Sequence, residues 1–578
     1  MKILGIGGSE HDLSCCLLVD GKIITAVEEE RISREKHGIG LRSLLLQSKP
    51  YCLAENGYTE NDMDLIISSD IIYDRVLRLN PYIQKNIVTI NHHLSHMACA
   101  YYLSGFEECA VLTIDGYGSL IGECRETATL GYAENGKIQV LRKLAGLRTS
   151  IFSKGTEQEK ALKYILNDAS TRLTYFQNGK INYDFTVIDN SLGGFYTLCT
   201  VICGFHFLEE AKLMGLASYG TDRYVKEMWK CVAVKEDGGR EINFPREEFF
   251  DFIRTLKKES VGKDLFQIRA DVAFAAQAVL EKSTFLLMEE LYNKTKCRKL
   301  CYSGGVALNS TLNGKITKET PFTDIFIPPM SGDAGTAIGS ALYGHYCRNG
   351  GRYVPHKIKS VYWGKSYSDL EIENALKKNE ENIAWSKQTT EEVAETAALK
   401  LKSGQILGWF QGGCEAGPRA LGNRSILADP RRKNMKDILN SRVKFRESFR
   451  PFAPSVLQEY AKDYFETDGT EYPFMLFVHP VKESKKSVIP AVTHVDGTAR
   501  IQTVNEKDNP VYYGLINAFY RLTGVPVLLN TSFNIKGEPI IETPSDALKS
   551  FIKADMDCLC IGHYVVTKKE TEKRQAST

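Results

Sequence analysis

Residues 91–119, NHHLSHMACAYYLSGFEECAVLTIDGYGS, decide how the rest of the chain is read. Residues 87–90 just before them have the composition of a strand, and the segment after Asn91 predicts a helix. On a helix His92 and His96 stand one turn apart, so both side chains leave the same face. A buried strand over 110–114 then delivers Asp115 to a turn opened by Gly116 and Gly118. Two imidazoles and a carboxylate form a credible ligand set for a divalent transition metal. The plainer alternative is that the histidines satisfy backbone groups near a helix start. A fourth ligand has to come from elsewhere in the chain.

With 578 residues the chain is too long for one core, and two or three domains are expected. Its 43% hydrophobic and 25% charged residues are ordinary for a globular protein. A net charge of +2 argues against a dedicated nucleic-acid surface. No window approaches about 18 uncharged apolar residues, so no membrane partner is expected. The opening MKILGIGG runs straight into a strand pattern and leaves no room for a signal peptide. The fifteen cysteines are an odd count, and Cys15, Cys16, Cys99 and Cys199 lie in apolar runs, which suggests reduced core residues. Cys558 and Cys560 alternate with apolar neighbours and lack zinc-knuckle spacing. A cytoplasmic location is the expectation.

Residues 3–7 and 13–19 read as strands around a polar loop that carries His11 and Asp12. Asp20-Gly21 is a hairpin turn signal, with the returning strand over 22–27. Such an opening begins the phosphate-cradling hairpins of actin-like and sugar-kinase-like folds. The run EEER (28–31) leads to Lys36 and His37, and a solvated helix end is its ordinary reading. The IDGYG turn (114–118) is a second phosphate-type hairpin, because glycines let backbone N–H groups approach an anion. Asn135-Gly136 marks another hairpin. The polar, aperiodic span 148–189 reads as an insertion. Helical spacing covers 195–205, Glu210 and Lys212 precede a glycine-flanked turn, and a long helix covers 270–294.

A strand over 300–303 reaches Gly304, Gly305 and Asn309, where a nucleotide can sit on a helix N-terminus. Another strand over 324–328 reaches Asp333 at a glycine-rich turn before a small-residue helix over 336–344. Asp333 can be a simple helix cap. With His92, His96 and Asp115 it completes a four-ligand set of two nitrogen and two oxygen donors. No internal repeat of 20–50 residues stands out.

Residues 349–385 read as a linker with its own strand and helix, followed by a helix over 390–403 and a strand over 406–409. GPRALGNRS (417–425) and SRVKFRESFRPFAP (441–454) concentrate Arg419, Arg424, Lys444, Arg446 and Arg450. Arginine forks bind phosphate oxygens bidentately. Scattered surface arginines are the alternative, but these flank Gly/Pro turns and apolar residues, which implies enclosed charge that needs an anion. THVDGTAR (493–500) adds His494 and Arg500. A buried strand over 527–530 leads through Asn530 into TSFN (531–534), where Ser532 and Asn534 suit base or ribose recognition. The tail after 568 is charged and expected to be disordered.

These motifs make the chain resemble the O-carbamoyltransferases of the NodU/CmcH type, which decorate antibiotics and nodulation factors. The resemblance runs nearly end to end. Its specific parts are HDxS, AVEEER, the His-x-x-x-His pair, SLGxFY, SGGVALN, GPRALGNRS, FRPFAP, THVDGTAR and LNTSFN. It implies an α/β protein with an actin-like (ASKHA, TsaD-like) two-lobed domain over 1–350, a linker over 351–384 and a YrdC-like α/β domain over 385–568. The C-terminal domain would use carbamoyl phosphate and ATP with Mg²⁺ to make carbamoyl adenylate. The N-terminal domain would then transfer the carbamoyl group to a hydroxyl of a small-molecule natural product and release AMP. By match, His92, His96, Asp115 and Asp333 would hold a metal, usually iron in this family. Arg419, Ser425, Lys444, Arg450 and Arg500 would bind carbamoyl phosphate and the ATP phosphates. His11 is the candidate base for the acceptor hydroxyl and Lys36 the orienting cation. Glu210, Lys212 and Ser218 stand where relatives more often carry glycine and proline.

Two other readings compete. TsaD-type and YrdC-type domains also serve tRNA threonylcarbamoylation, which the near-neutral charge and lack of a basic tract disfavour. A non-catalytic nucleotide-binding scaffold would not need both the ligand set and the arginine cluster. A homodimer is left open.

Overall fold

The computed structural model describes residues 1–9, 11–38, 43–77, 86–150, 176–177, 180–181, 186–236, 240–243, 246–260, 264–348, 350–469 and 471–569. Most of the expected insertion over 148–189, and the tail from 570, lie outside the described residues. The fold is mixed α/β with several sheets.

The first sheet has five strands in the order Lys22–Glu28, Ser14–Val19, Lys2–Gly7, Leu65–Ser69, Ile87–Ile90. The first three pair antiparallel and the last two join parallel. The second sheet repeats this plan. Five of its strands run Lys137–Ser150, Cys124–Glu134, Glu108–Ile114, Lys299–Ser303, Asp324–Phe326, again two antiparallel pairings followed by two parallel ones. The sequence search for repeats misses this because the two copies share topology and not residues. Both opening hairpins fold as their turn residues require. Asp20-Gly21 and Asn135-Gly136 each hold two successive positive φ angles, 48° and 78° in one and 50° and 80° in the other.

Each sheet sends its fifth strand into a helix, and these two helices, His92–Ser104 and Gly335–Tyr343, pack against each other. A Cβ at Gly339 would lie 1.8 Å from the Ser95 carbonyl oxygen, so only glycine allows this approach. Asn91 caps the first helix, its side chain accepting from the Leu94 N–H at 2.9 Å. Met97, Ala98, Ala100 and Tyr101 are buried on its core side.

An eight-stranded sheet forms the C-terminal part, in the order Ile383–Lys387, Tyr564–Lys568, Cys558–Ile561, Leu407–Phe410, Arg424–Ala428, Val527–Ser532, Ala453–Leu457, Gln502–Val504. Helices Thr390–Lys402 and Pro510–Thr523 pack together beside it. The stretch expected to be a linker contains helix Asp369–Lys377, whose Ile372, Ala375 and Leu376 belong to this second core. All fifteen cysteines are free. Among the described residues no helix is long and apolar enough to cross a membrane.

Candidate functional site

The four expected ligands come from three different chain segments and converge. His92 and His96 leave the first turns of their helix, Asp115 follows strand Glu108–Ile114, and Asp333 precedes helix Gly335–Tyr343. His92 Nε2 lies 3.3 Å from Asp115 Oδ2 and 3.5 Å from Asp333 Oδ1. His96 Nε2 lies 3.5 Å from each of the same oxygens and 3.2 Å from His92 Nε2. A tetrahedron on metal–ligand bonds of about 2.1 Å has edges of about 3.4 Å, so the donor spacing fits a divalent transition metal. All four side chains are buried.

Neighbouring groups hold these ligands in place. The His92 N–H donates to Ser119 Oγ at 2.8 Å, Ser119 donates to Asp70 at 2.7 Å, and Ser69 Oγ lies 3.4 Å from His92 Nδ1. The Gly305 N–H donates to Asp115 Oδ1 at 3.0 Å. Burial opposes charge on His92, but hydrogen bonds to Asp115 and Asp333 outweigh it and push the imidazole up to about 10. Burial and Asp333 push Asp115 up, while His92 and His96 more than compensate and hold its carboxyl below the usual carboxylate range. A bound cation would take over the role of these protons.

His11 and Asp12 sit in the equivalent turn of the first sheet. His11 Nδ1 is 3.1 Å from Asp12 Oδ2, and the other Asp12 oxygen is 3.1 Å from His37 Nδ1. Burial works against a charge on His11, yet Asp12, with Asp333 and Asp115 beyond it, pushes it up to about 9. Lys36, the expected orienting cation, stands next to His37 in the same segment, and its charge also helps to push Lys444 of the C-terminal part down.

The second cluster is cationic. Burial and mutual repulsion push Arg419 down to about 10, with Arg450 as its repelling neighbour, and Arg446 down to about 9, again beside Arg450. Arg500 is lowered far below the usual guanidinium range by burial and by Arg419, Arg446 and Arg450. Among the described residues, Arg419 and Arg500 make no hydrogen bond or ion pair, and the Nε of each is buried. His494 Nε2 is also buried without a partner, and burial holds its imidazole down to about 4. Clustered, half-buried guanidiniums with so little counter-charge can receive an anion with several oxygens. At its edge Glu447 is shared with Lys212 at 2.8 Å and Arg450 at 4.0 Å, and Glu209 also bears on Arg450.

Family models decide the identity. The model described as Carbamoyltransferase N-terminus matches residues 2–86 and 69–342, and the one described as Carbamoyltransferase C-terminus matches 398–568. The chain belongs to the carbamoyltransferase family. It is 35% identical to the nodulation protein NolNO of Sinorhizobium fredii over 97% of this chain and 79% of the relative. It is 38% identical to the nodulation protein NolO of Bradyrhizobium diazoefficiens over 83% of this chain and 79% of that one. Among solved structures it is similar to full-length HypF in its phosphate- and nucleotide-bound form, with a TM-score of 0.40 and 14% identity over 61% of this chain and 56% of that one. A likeness at that level carries no argument here.

Other expected site residues make hydrogen bonds or ion pairs within the protein. Arg424 is fully buried, stacks 3.6 Å from the centre of the Phe410 ring, and donates to the carbonyls of Gln411, Gly412, Asn423 and Glu542. Its Nη groups are thus turned to main-chain carbonyls of the core, although its buried Nε makes no hydrogen bond. Ser425 Oγ accepts from the Gly422 N–H. Asn530 donates to Ala420, Ser455 and Gln502 in the core. Asn309 is paired with Gln277 and caps its own short helix. Lys444 holds the 532–534 segment through Ser532 and Asn534, including Asn534 Oδ1 at 2.8 Å. Lys212 lies inside helix Glu210–Ala217, not before a turn, and pairs with Glu209 and Glu447. A Cβ at Gly116 would meet nothing, one at Gly118 would strike His93, and Gly304 approaches the Ile114 carbonyl at a φ of 92°.

Sequence reasoning missed Asp12, which bridges two histidines, and the 28–34 segment, which is not a solvated helix end: Glu29 and Arg31 are buried. The charge run of AVEEER looked polar because sequence alone does not show what covers it.

Proposed function

We propose that this carbamoyltransferase is ATP-dependent and works at two stations. In the C-terminal part, carbamoyl phosphate reacts with water to give carbamate and phosphate. Carbamate then attacks the α-phosphorus of ATP, with Mg²⁺ on the phosphates, giving carbamoyl adenylate and pyrophosphate. In the N-terminal part, a hydroxyl of a small-molecule acceptor attacks the carbamoyl carbon, the carbamate ester forms, and AMP leaves with the bonding electron pair.

One observation carries this reading. Among the described residues two arginines of the cationic cluster make no hydrogen bond or ion pair, the condition expected of a site whose counter-charge arrives with the substrate. Arg419, Arg446, Arg450 and Arg500 would spread the charge that develops on transferring phosphoryl oxygens. Lys444 would hold the Ser532–Asn534 edge against the nucleotide.

In the N-terminal part His92, His96, Asp115 and Asp333 would hold a divalent transition metal, iron by family resemblance, and that ion would supply Lewis-acid stabilisation of phosphate charge. Asp12 orients His11, which would take the acceptor's proton. The repeated strand order of the first two sheets supports an actin-like domain over 1–350, and the separate C-terminal core supports a second, YrdC-like domain over 385–568.

The test is pyrophosphate release from ATP that depends on carbamoyl phosphate. Metal-loaded protein that releases none refutes the adenylation reading. A screen of hydroxylated natural products for acceptor-dependent AMP release identifies the acceptor.

A further inference from the structure

The segment 28–34 belongs by sequence to the first sheet's edge, yet it grips the C-terminal part. Glu28 accepts from the Gly417 N–H in a short hydrogen bond, and Arg31 Nη2 donates to the Gly417 carbonyl at 2.6 Å. Both ends of one residue's peptide pair are thus held by one carboxylate and one guanidinium. Gly417 has a φ of 106°, and a Cβ there would lie 2.8 Å from the Pro329 carbonyl oxygen. The loop that carries Arg419 therefore meets the loop that carries Asp333 at this glycine.

The grip continues along the short helix Glu29–Ser33. Arg34 donates to the carbonyls of Ile540 and Pro539 at 2.7 and 3.0 Å. Glu29 accepts from the Gln47 and Ser48 N–H groups and anchors the segment to its own lobe.

Arg31 is 1% exposed, its Nε has no hydrogen bond, and it lies 3.4 Å from Glu28 Oε2. A buried ion pair of this kind adds little stability over a well-packed apolar pair. Its geometry accounts for it better: two directional contacts fix the peptide at the root of the Arg419 loop.

We propose that Glu28 and Arg31 are positioning residues for the C-terminal anion site, setting the place of Arg419 from the other half of the molecule. The inference rests on the functional reading above only in taking the cationic cluster as the anion site. The clamp acts on how tightly the cluster holds an anion and not on the four-ligand group.

The test measures calorimetric binding of ATP and of inorganic phosphate to the full chain, wild type, Arg31→Lys, Arg31→Met and Glu28→Gln. Co²⁺ titration of the His92 group, followed by absorbance, reports that the N-terminal part is folded. Lysine keeps the charge but loses the guanidinium fork, so Arg31→Lys and Arg31→Met should weaken ATP binding about tenfold. Glu28→Gln keeps an acceptor for the Gly417 N–H but loses the charge beside Arg31, and should weaken ATP binding about threefold, with Co²⁺ binding unchanged in all. Unchanged ATP affinity in both Arg31 variants, with normal Co²⁺ binding, overturns the clamp. Loss of Co²⁺ binding together with ATP binding also overturns it, because the pair would then serve folding alone. If the wild type binds neither ATP nor phosphate, the anion-site reading itself fails, which is a different result.

Discussion

The two clusters differ in how their charge is balanced. Around His92 and His96 the two carboxylates offset whatever the imidazoles carry, and every donor atom has a partner within 3.5 Å. Around Arg500 the charges share one sign, and each lowers its neighbours. The first is a self-compensating group that persists without an added charge. The second is held together against its own repulsion by the surrounding fold, and only an incoming anion relieves it. A metal site can be built from self-compensating ligands, whereas a site for a transient polyanion has to stay uncompensated.

Substitutions can break that contrast at its strongest point first. Lys444→Ala removes the ammonium that ties Ser532 and Asn534 to the cationic cluster, and pyrophosphate release should fall by at least about 1000-fold. Arg500→Ala should lower the same rate by about 100-fold, since one unpaired guanidinium is lost while the others remain. Both are read from initial rates of pyrophosphate formation.

A subtler change acts on the acceptor side. Asp12 keeps His11 protonated up to about 9. A base has to be neutral to accept a proton, so wild-type transfer should rise with pH toward that value. Asp12→Asn removes the charge that raises His11 and should move the acid limb of the transfer profile to lower pH by at least about one unit. The profile of acceptor-dependent AMP release checks this, with pyrophosphate release as the control that should not move.

The smallest effect concerns stability. Arg419→Met deletes a half-buried cation that repels Arg450 and, among the described residues, makes no ion pair. The ligand-free protein should gain about 1 kcal/mol, seen as a higher Tm, while losing the stabilisation that ATP gives to the wild type. Destabilisation of the ligand-free variant would contradict the view of this cluster as uncompensated.

Much of this was legible in the sequence because local rules agreed with the fold. The Asn91 cap, the one-turn spacing of His92 and His96, and the Asp20-Gly21 and Asn135-Gly136 turns are set by residues a few positions apart. The convergence of Asp333 on His92 was readable only as matching chemistry at a similar turn, since a separation of 241 residues leaves no periodic trace. Arg424 shows the opposite limit. It shares its motif and charge with Arg419, but its position on strand Arg424–Ala428 turns it toward carbonyls in the core. Glu28 and Arg31 read as solvent-facing because their partner, Gly417, lies in another part of the fold. The duplication of the first two sheets left only matching turn signals, such as Asp20-Gly21 and Asn135-Gly136, and no residue repeat.

The central claim is that activation and transfer occur at separate clusters. The direct test measures both pyrophosphate release and carbamoylated product for His92→Ala, with carbamoyl phosphate, ATP and an identified acceptor. The account predicts pyrophosphate release within about threefold of wild type and product lowered by at least about 1000-fold. Loss of pyrophosphate release to the same extent as product, in a variant that still binds ATP, would contradict it.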